Sequence, residues 1–204
     1  MSKPGNIFIK ICGMTTADAV DAALSCAVDA IGFVFAPSVR QVDARRARQL
    51  AAPARYRAAC VAVTRHPSRQ QVAEILREFQ PDILQTDIDD IESLDLPASL
   101  SVLPVLRPGP PRACALPRRV LFEGPVSGSG HTTDWDMAAE LALRGEVILA
   151  GGLNADNVGA AVRHVRPFGV DVSSGIEQAP GVKSIAKIEQ FVAAARRAAQ
   201  ELNA

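Results

Sequence analysis

The chain has 204 residues, 48% of them apolar, with 22 basic and 22 acidic side chains and no formal net charge. That length and apolar content exclude a disordered chain, and the balanced charge argues against a broad nucleic-acid footprint or a basic membrane-binding face. No apolar run approaches a bilayer span, and Cys12, Cys26, Cys60 and Cys114 lie too far apart for CxxC spacing, so a cytoplasmic, thiol-reduced protein without a metal is expected.

In chain order, Ile7–Cys12 reads as a strand and Ala17–Ser25 as a helix; Ala30–Phe35 with Asp43–Ala51 and Ala58–Val63 with Ser68–Phe79 repeat the pair. Strand Asp82–Gln85 precedes only a short Asp89–Ser93 segment. Leu100–Leu106 runs into RPGPPRACALP (107–117), whose prolines break a regular helix, so the fifth helix is short or replaced by a Pro-rich loop. Arg119–Phe122 is the sixth strand, and Asp134–Leu143 a helix with Asp134 as its N-cap. Val147–Ala150, Asn154–Arg163 and Gly169–Val172 read as strand, helix and strand. Ser184–Glu201 closes the chain with Ile185, Ile188, Phe191, Val192 and Ala195 along one stripe. Near-continuously apolar strands alternating with helices imply a parallel α/β sheet covered by helices. Eight units of about 25 residues each favour a single (β/α)8 TIM barrel over residues 1–204; a doubly wound open sheet is the alternative.

Chemistry in such a barrel sits at the C-terminal ends of the strands. Gly151 and Gly152 follow the seventh strand; Ser173, Ser174 and Gly175 follow the eighth. Small residues let backbone N–H groups approach an anion, so the two turns together make a phosphate cradle, with ordinary tight turns as the alternative. Lys10 and Cys12 share one face of the first strand. Cys12 is either a base with a lowered pKa beside an electropositive rim or a small buried hydrophobe. Glu123, which ends the sixth strand, is either a general acid or a solvated loop carboxylate. Arg40 either pairs with a substrate carboxylate or sits on the surface beside Arg45 and Arg46. Asp171 either holds a substrate hydroxyl or makes a salt bridge or cap. His66 and His164 read as a loop and a helix-surface residue, and Trp135 packs a glycine loop down.

KICGMT (10–15), AIGFVFAPSVR (30–40), GSGHTTDW (128–135), LAGGLNADNV (149–158) and VRPFGVDVSSGIEQAPGVK (165–183) together resemble the phosphoribosylanthranilate isomerase family of tryptophan biosynthesis. The resemblance implies a monomeric or homodimeric barrel without cofactor, acting on a small-molecule phosphosugar. It implies an Amadori rearrangement of N-(5-phosphoribosyl)anthranilate to 1-(2-carboxyphenylamino)-1-deoxyribulose 5-phosphate. Cys12 stands at the family's base, Glu123 where the family has an aspartate acid, Arg40 facing the anthranilate, and Asp171 near the ribose hydroxyls. Lys10 and Gln85 join the expected substrate-binding set, and Gly130, Gly151, Gly152, Ser173, Ser174 and Gly175 the phosphate-binding set.

The middle third departs from the family. Gln85-Thr86-Asp87-Ile88 stands for the usual Gln-Leu-His-Gly, and Val63-Thr64-Arg65-His66 for a continuation through Phe-Val-Asn; Pro104-Val105-Leu106-Arg107 lacks the usual lysine. These departures leave open a related barrel enzyme acting on another phosphosugar, and a non-catalytic phosphate-ligand binder.

Overall fold

The computed structural model describes residues 7–109, 117–124 and 133–202. Strands β1 (Phe8–Cys12), β2 (Ala30–Val34), β3 (Ala59–Val63), β4 (Ile83–Asp87), β5 (Ser101–Leu106), β6 (Arg119–Phe122), β7 (Glu146–Leu149) and β8 (Gly169–Val172) pair in parallel and in chain order. The ring closes where β1 pairs with β8, Lys10 opposite Asp171. That closure removes both sheet edges and rules out the doubly wound alternative.

Helices α1 (Ala17–Ser25), α2 (Ala44–Ala51), α3 (Arg69–Glu78), α4 (Trp135–Ala142), α5 (Val158–Val165) and α6 (Ile185–Glu201) cover the outside. Five start where a short polar side chain satisfies an orphan N–H group: Thr16, Asp43, Ser68, Asp134 and Ser184 accept from Ala19, Arg46, Gln71, Met137 and Lys187. The expected Asp134 cap is among them. After β4 the chain makes only a 3-10 turn, Ile88–Ser93, matching the short segment expected there. Between β5 and β6 the described residues hold no helix.

Element boundaries agree with the sequence reading to within one residue except at β4 and α5. β4 continues two residues past Gln85 to Asp87. α5 begins at Val158 and not at Asn154, because the Asn154 carboxamide oxygen accepts from the N–H groups of Asp156 and Asn157 and turns the chain before the helix starts. A short hairpin after β8, β9 (Glu177–Ala179) with β10 (Val182–Lys183), is an element the periodicity did not announce.

Alternation along each strand sorts the side chains. Ile9, Ile11, Ile31, Phe33, Ala62, Leu84, Phe122, Leu149 and Val170 face outward into the main core beneath the helices. A second apolar cluster of Leu103, Val105, Leu121, Ile148 and Ala150 fills the barrel, with Phe8, Ile83 and Phe168 packed against it. At the N-terminal end Arg119 lies 4.2 Å over the Phe168 ring and pairs with Glu146. That end is therefore plugged, and the polar inward residues collect at the opposite mouth. Among the described residues no helix is long and apolar enough to cross a membrane.

Candidate active site at the barrel mouth

β1 puts Lys10 and Cys12 on its inward face. Lys10 is fully buried, and its ammonium lies 2.8 Å from the Asp171 carboxylate on β8. Burial works to lower the Lys10 pKa, but the Asp171 and Cys12 charges outweigh it and hold the ammonium above its ordinary value. Asp171 thus takes the salt-bridge role the sequence left open. Cys12 is 7% exposed and sits where a Cβ on Gly32 would come within 3.1 Å of its sulfur. Burial pushes the Cys12 thiol up; Lys10 and Lys183 pull it down, and Asp171 and Glu123 add to the rise. The lowered pKa expected from an electropositive rim is therefore corrected: desolvation of a buried thiolate exceeds the pull of the lysines.

Beside the thiol lies an ion-pair knot built from distant segments. Glu177 accepts from Arg40 Nε at 2.7 Å and Nη2 at 2.8 Å, and from Lys183 Nζ at 2.9 Å. Lys183 also donates to the carbonyl and hydroxyl of Ser173. Burial disfavours the Glu177 charge, but the hydrogen bonds from Arg40 and Lys183 outweigh it and hold the carboxyl at about 2. Arg40 is thereby placed at the mouth, its side chain 14% exposed, and not on the open surface. Its stem lies across Gly13, where a Cβ would come within 2.7 Å of Arg40 Cδ.

The two small-residue turns meet. Gly151 and Gly152 adopt φ of +91° and +66°, conformations that favour glycine. A Cβ on Gly175 would collide with the Leu153 carbonyl, so the turn after β8 packs directly on the turn after β7. Asn157 ties the first turn down, donating to the Gly152 carbonyl and accepting from Asn154 N–H. Thr133 donates to the Ala150 carbonyl from the side, where a Gly151 Cβ would clash with its hydroxyl. Among the described residues no hydrogen bond uses the N–H of Gly152 or Ser174. Close, unengaged N–H groups on touching turns suit an anion.

Across the mouth, Glu123 follows β6 with its side chain 16% exposed, not as a solvated loop carboxylate. Arg107 Nη1 reaches Glu123 at 3.2 Å and the Gly124 carbonyl at 3.0 Å, while its Nε donates to Asp87 at 3.0 Å. Asp87 also lies 3.7 Å from Arg65 and from His66 Nε2, and His66 Nδ1 is 2.9 Å from Asp90. His66, Asp87 and Asp90 bring one ligand atom each within 4.8 Å of one another. Their carboxylate oxygens also accept from Arg107, from the His66 backbone N–H and from the Thr86 hydroxyl.

Most predicted site residues therefore converge: Lys10, Cys12, Arg40, Glu123 and Asp171 surround one mouth, with Gly151, Gly152, Ser173, Ser174 and Gly175 along its β7–β8 side. Gln85 is 5% exposed on β4, and its Oε1 is buried with no hydrogen-bond partner among the described residues. Gly130 lies outside the described residues. Glu177, Lys183, Asp87, Arg107, Thr133 and Asn157 were not singled out from the sequence. Only Asn157 carried a local signal, an Asn three residues after another in a glycine turn.

A closed (β/α)8 barrel with a thiol, a carboxyl and two joined small-residue turns at its C-terminal mouth has the layout of the barrel-enzyme class. The family profile described as N-(5'phosphoribosyl)anthranilate (PRA) isomerase matches residues 9–194. The chain is 41% identical over 207 residues to the N-(5'-phosphoribosyl)anthranilate isomerase of Pseudomonas putida, covering 95% of this chain and 99% of that one. It is 35% identical over 191 residues to the enzyme of that name from Streptococcus mutans, covering 93% and 98%. The crystal structure of phosphoribosyl anthranilate isomerase from Thermus thermophilus superposes with a TM-score of 0.80 at 28% identity, covering 92% and 98%. The chain belongs to the PRA isomerase family and is an isomerase.

Proposed function

We propose that this chain converts N-(5-phosphoribosyl)anthranilate to 1-(2-carboxyphenylamino)-1-deoxyribulose 5-phosphate, with Cys12 as general base and Glu123 as general acid. The observation that carries the reading is a thiol on β1 and a carboxyl after β6 on one mouth, beside the joined turns of β7 and β8. The turns hold the 5-phosphate, which sets the sugar over the strand ends. Glu123 gives its proton to the ring oxygen as the C1–O bond breaks, and the nitrogen lone pair forms the Schiff base. Cys12, neutral at rest, must first lose its thiol proton beside Lys10 and Lys183; as thiolate it then takes the C2 proton, and the C–H electrons neutralise the iminium as an enolamine. Proton return to C1 and loss of the C2 hydroxyl proton give the ketone, so no redox partner is consumed.

Arg40 keeps Nη1 for the anthranilate carboxylate while Glu177 holds its other nitrogens. The unpartnered Gln85 oxygen accepts from a substrate N–H or hydroxyl. Lys10 and Lys183 supply the positive charge that the thiolate needs as it forms.

The charged wall of Arg65, His66, Asp87 and Arg107 favours a second reading, a barrel isomerase whose phosphosugar carries a different substituent. Following loss of substrate fluorescence with the wild type and Glu123→Gln decides between them. Turnover that falls by about 10²-fold or more in the variant supports the isomerase. Absence of turnover in a wild type that still binds inorganic phosphate favours the second reading.

A further inference from the structure

Among the described residues, the Arg107 guanidinium reaches two carboxylates. Its Nε donates to Asp87 on β4 at 3.0 Å, and its Nη1 is divided between Glu123 at 3.2 Å and the Gly124 carbonyl at 3.0 Å. Asp87 is 7% exposed and the last residue of its strand, so its carboxylate is a fixed point on the barrel wall. Arg65 and His66 face it at 3.7 Å from the loop after β3. Glu123, by contrast, lies one residue past the end of β6, on a side chain with three torsions to fix.

We propose that Asp87 is a positioning residue for the isomerisation: by anchoring Arg107 Nε it aims Arg107 Nη1, and so fixes where the Glu123 carboxyl stands above the sugar. This rests on the reading that Glu123 is the general acid. An arginine held at one nitrogen by a rigid partner keeps its planar fork in register, so the second N–H pair points in a set direction. Without Asp87 the guanidinium loses its Nε anchor, and the direction of the Nη1 contact to Glu123 is less tightly set. A displacement of the acid by about 1 Å is enough to cost one to two orders of magnitude in rate. Asp87 touches neither the thiol nor the paired turns, so its loss acts on kcat and spares substrate binding.

The test is a set of steady-state kinetics on Asp87→Asn, Arg107→Lys, Glu123→Gln and the Asp87→Asn/Glu123→Gln and Arg107→Lys/Glu123→Gln pairs, each checked for fold by circular dichroism. Asp87→Asn is expected to lower kcat about tenfold with KM within about twofold. Arg107→Lys, which keeps the charge but not the fork, should do the same, and neither should slow Glu123→Gln further. If Asp87→Asn does not fold, the Arg107→Lys pair carries the comparison. Wild-type kcat in both single variants beside a crippled Glu123→Gln overturns the inference and leaves the acid assignment standing. An equal loss in both backgrounds overturns it too, since the effect would not pass through Glu123. Full activity in Glu123→Gln overturns both.

Discussion

Arg40 and Glu177, 137 residues apart, are joined by two parallel hydrogen bonds of 2.7 and 2.8 Å. The fork fixes the guanidinium plane, so a carboxylate arriving from the barrel side meets an arginine already oriented. Glu177→Gln keeps the shape but not the charge-assisted pair. It should raise KM for the anthranilate substrate by about tenfold while leaving kcat nearly intact, a difference worth about 1.4 kcal/mol of binding. A kcat loss at constant KM would mean that Arg40 acts on the chemistry instead.

The same carboxyl makes the fold acid-sensitive. Glu177 is held at about 2 against an ordinary 4.5, with its side chain 5% exposed. A depressed carboxyl stabilises the native state above pH 4.5 and loses that contribution as pH falls toward 2, because the unfolded chain takes up the proton first. The full contribution is roughly 3 kcal/mol. Urea unfolding between pH 7 and 3 should therefore show a steeper acid decline for the wild type than for Glu177→Gln; parallel curves would refute the linkage.

The contact of Gly175 with the Leu153 carbonyl predicts an intolerant position. Gly175→Ala must push the two turns apart, costing about 1–3 kcal/mol of stability and weakening inhibition by inorganic phosphate. Unchanged phosphate inhibition would show that the turns do not form the anion site.

Lys10 and Asp171 form a pair with side-chain exposures of 0% and 9%. Lys10→Met strands a carboxylate inside the barrel and should cost about 3–5 kcal/mol; Lys10→Met with Asp171→Asn should recover part of it. Chemical denaturation of the single and double variants measures this coupling directly, and additive losses would argue against it.

What was legible in the sequence was what local chemistry encodes. Asp134 marks a helix start because a short polar side chain there has a backbone N–H to satisfy; Thr16, Asp43, Ser68 and Ser184, not read as caps, do the same. Apolar runs mark the strands, and small residues after β7 and β8 mark the turns. Long-range charge pairing is not encoded that way. Glu177 and Lys183 look like surface residues of a loop until the hairpin brings them to Arg40. Asp87 reads only as a departure from the family beyond the strand, because Thr86 and Asp87 are polar and Asp is depleted in strands, so β4 reads as ending at Gln85. The alternation that places Gln85 inward then places Asp87 inward as well.

Everything in the proposed rearrangement turns on Cys12 taking the C2 proton. The most direct measurement is the turnover of N-(5-phosphoribosyl)anthranilate by wild type and Cys12→Ala at equal folded concentration. The wild type should turn over, and Cys12→Ala should lose about 10²–10⁴-fold in kcat. Turnover by Cys12→Ala at the wild-type rate would contradict it.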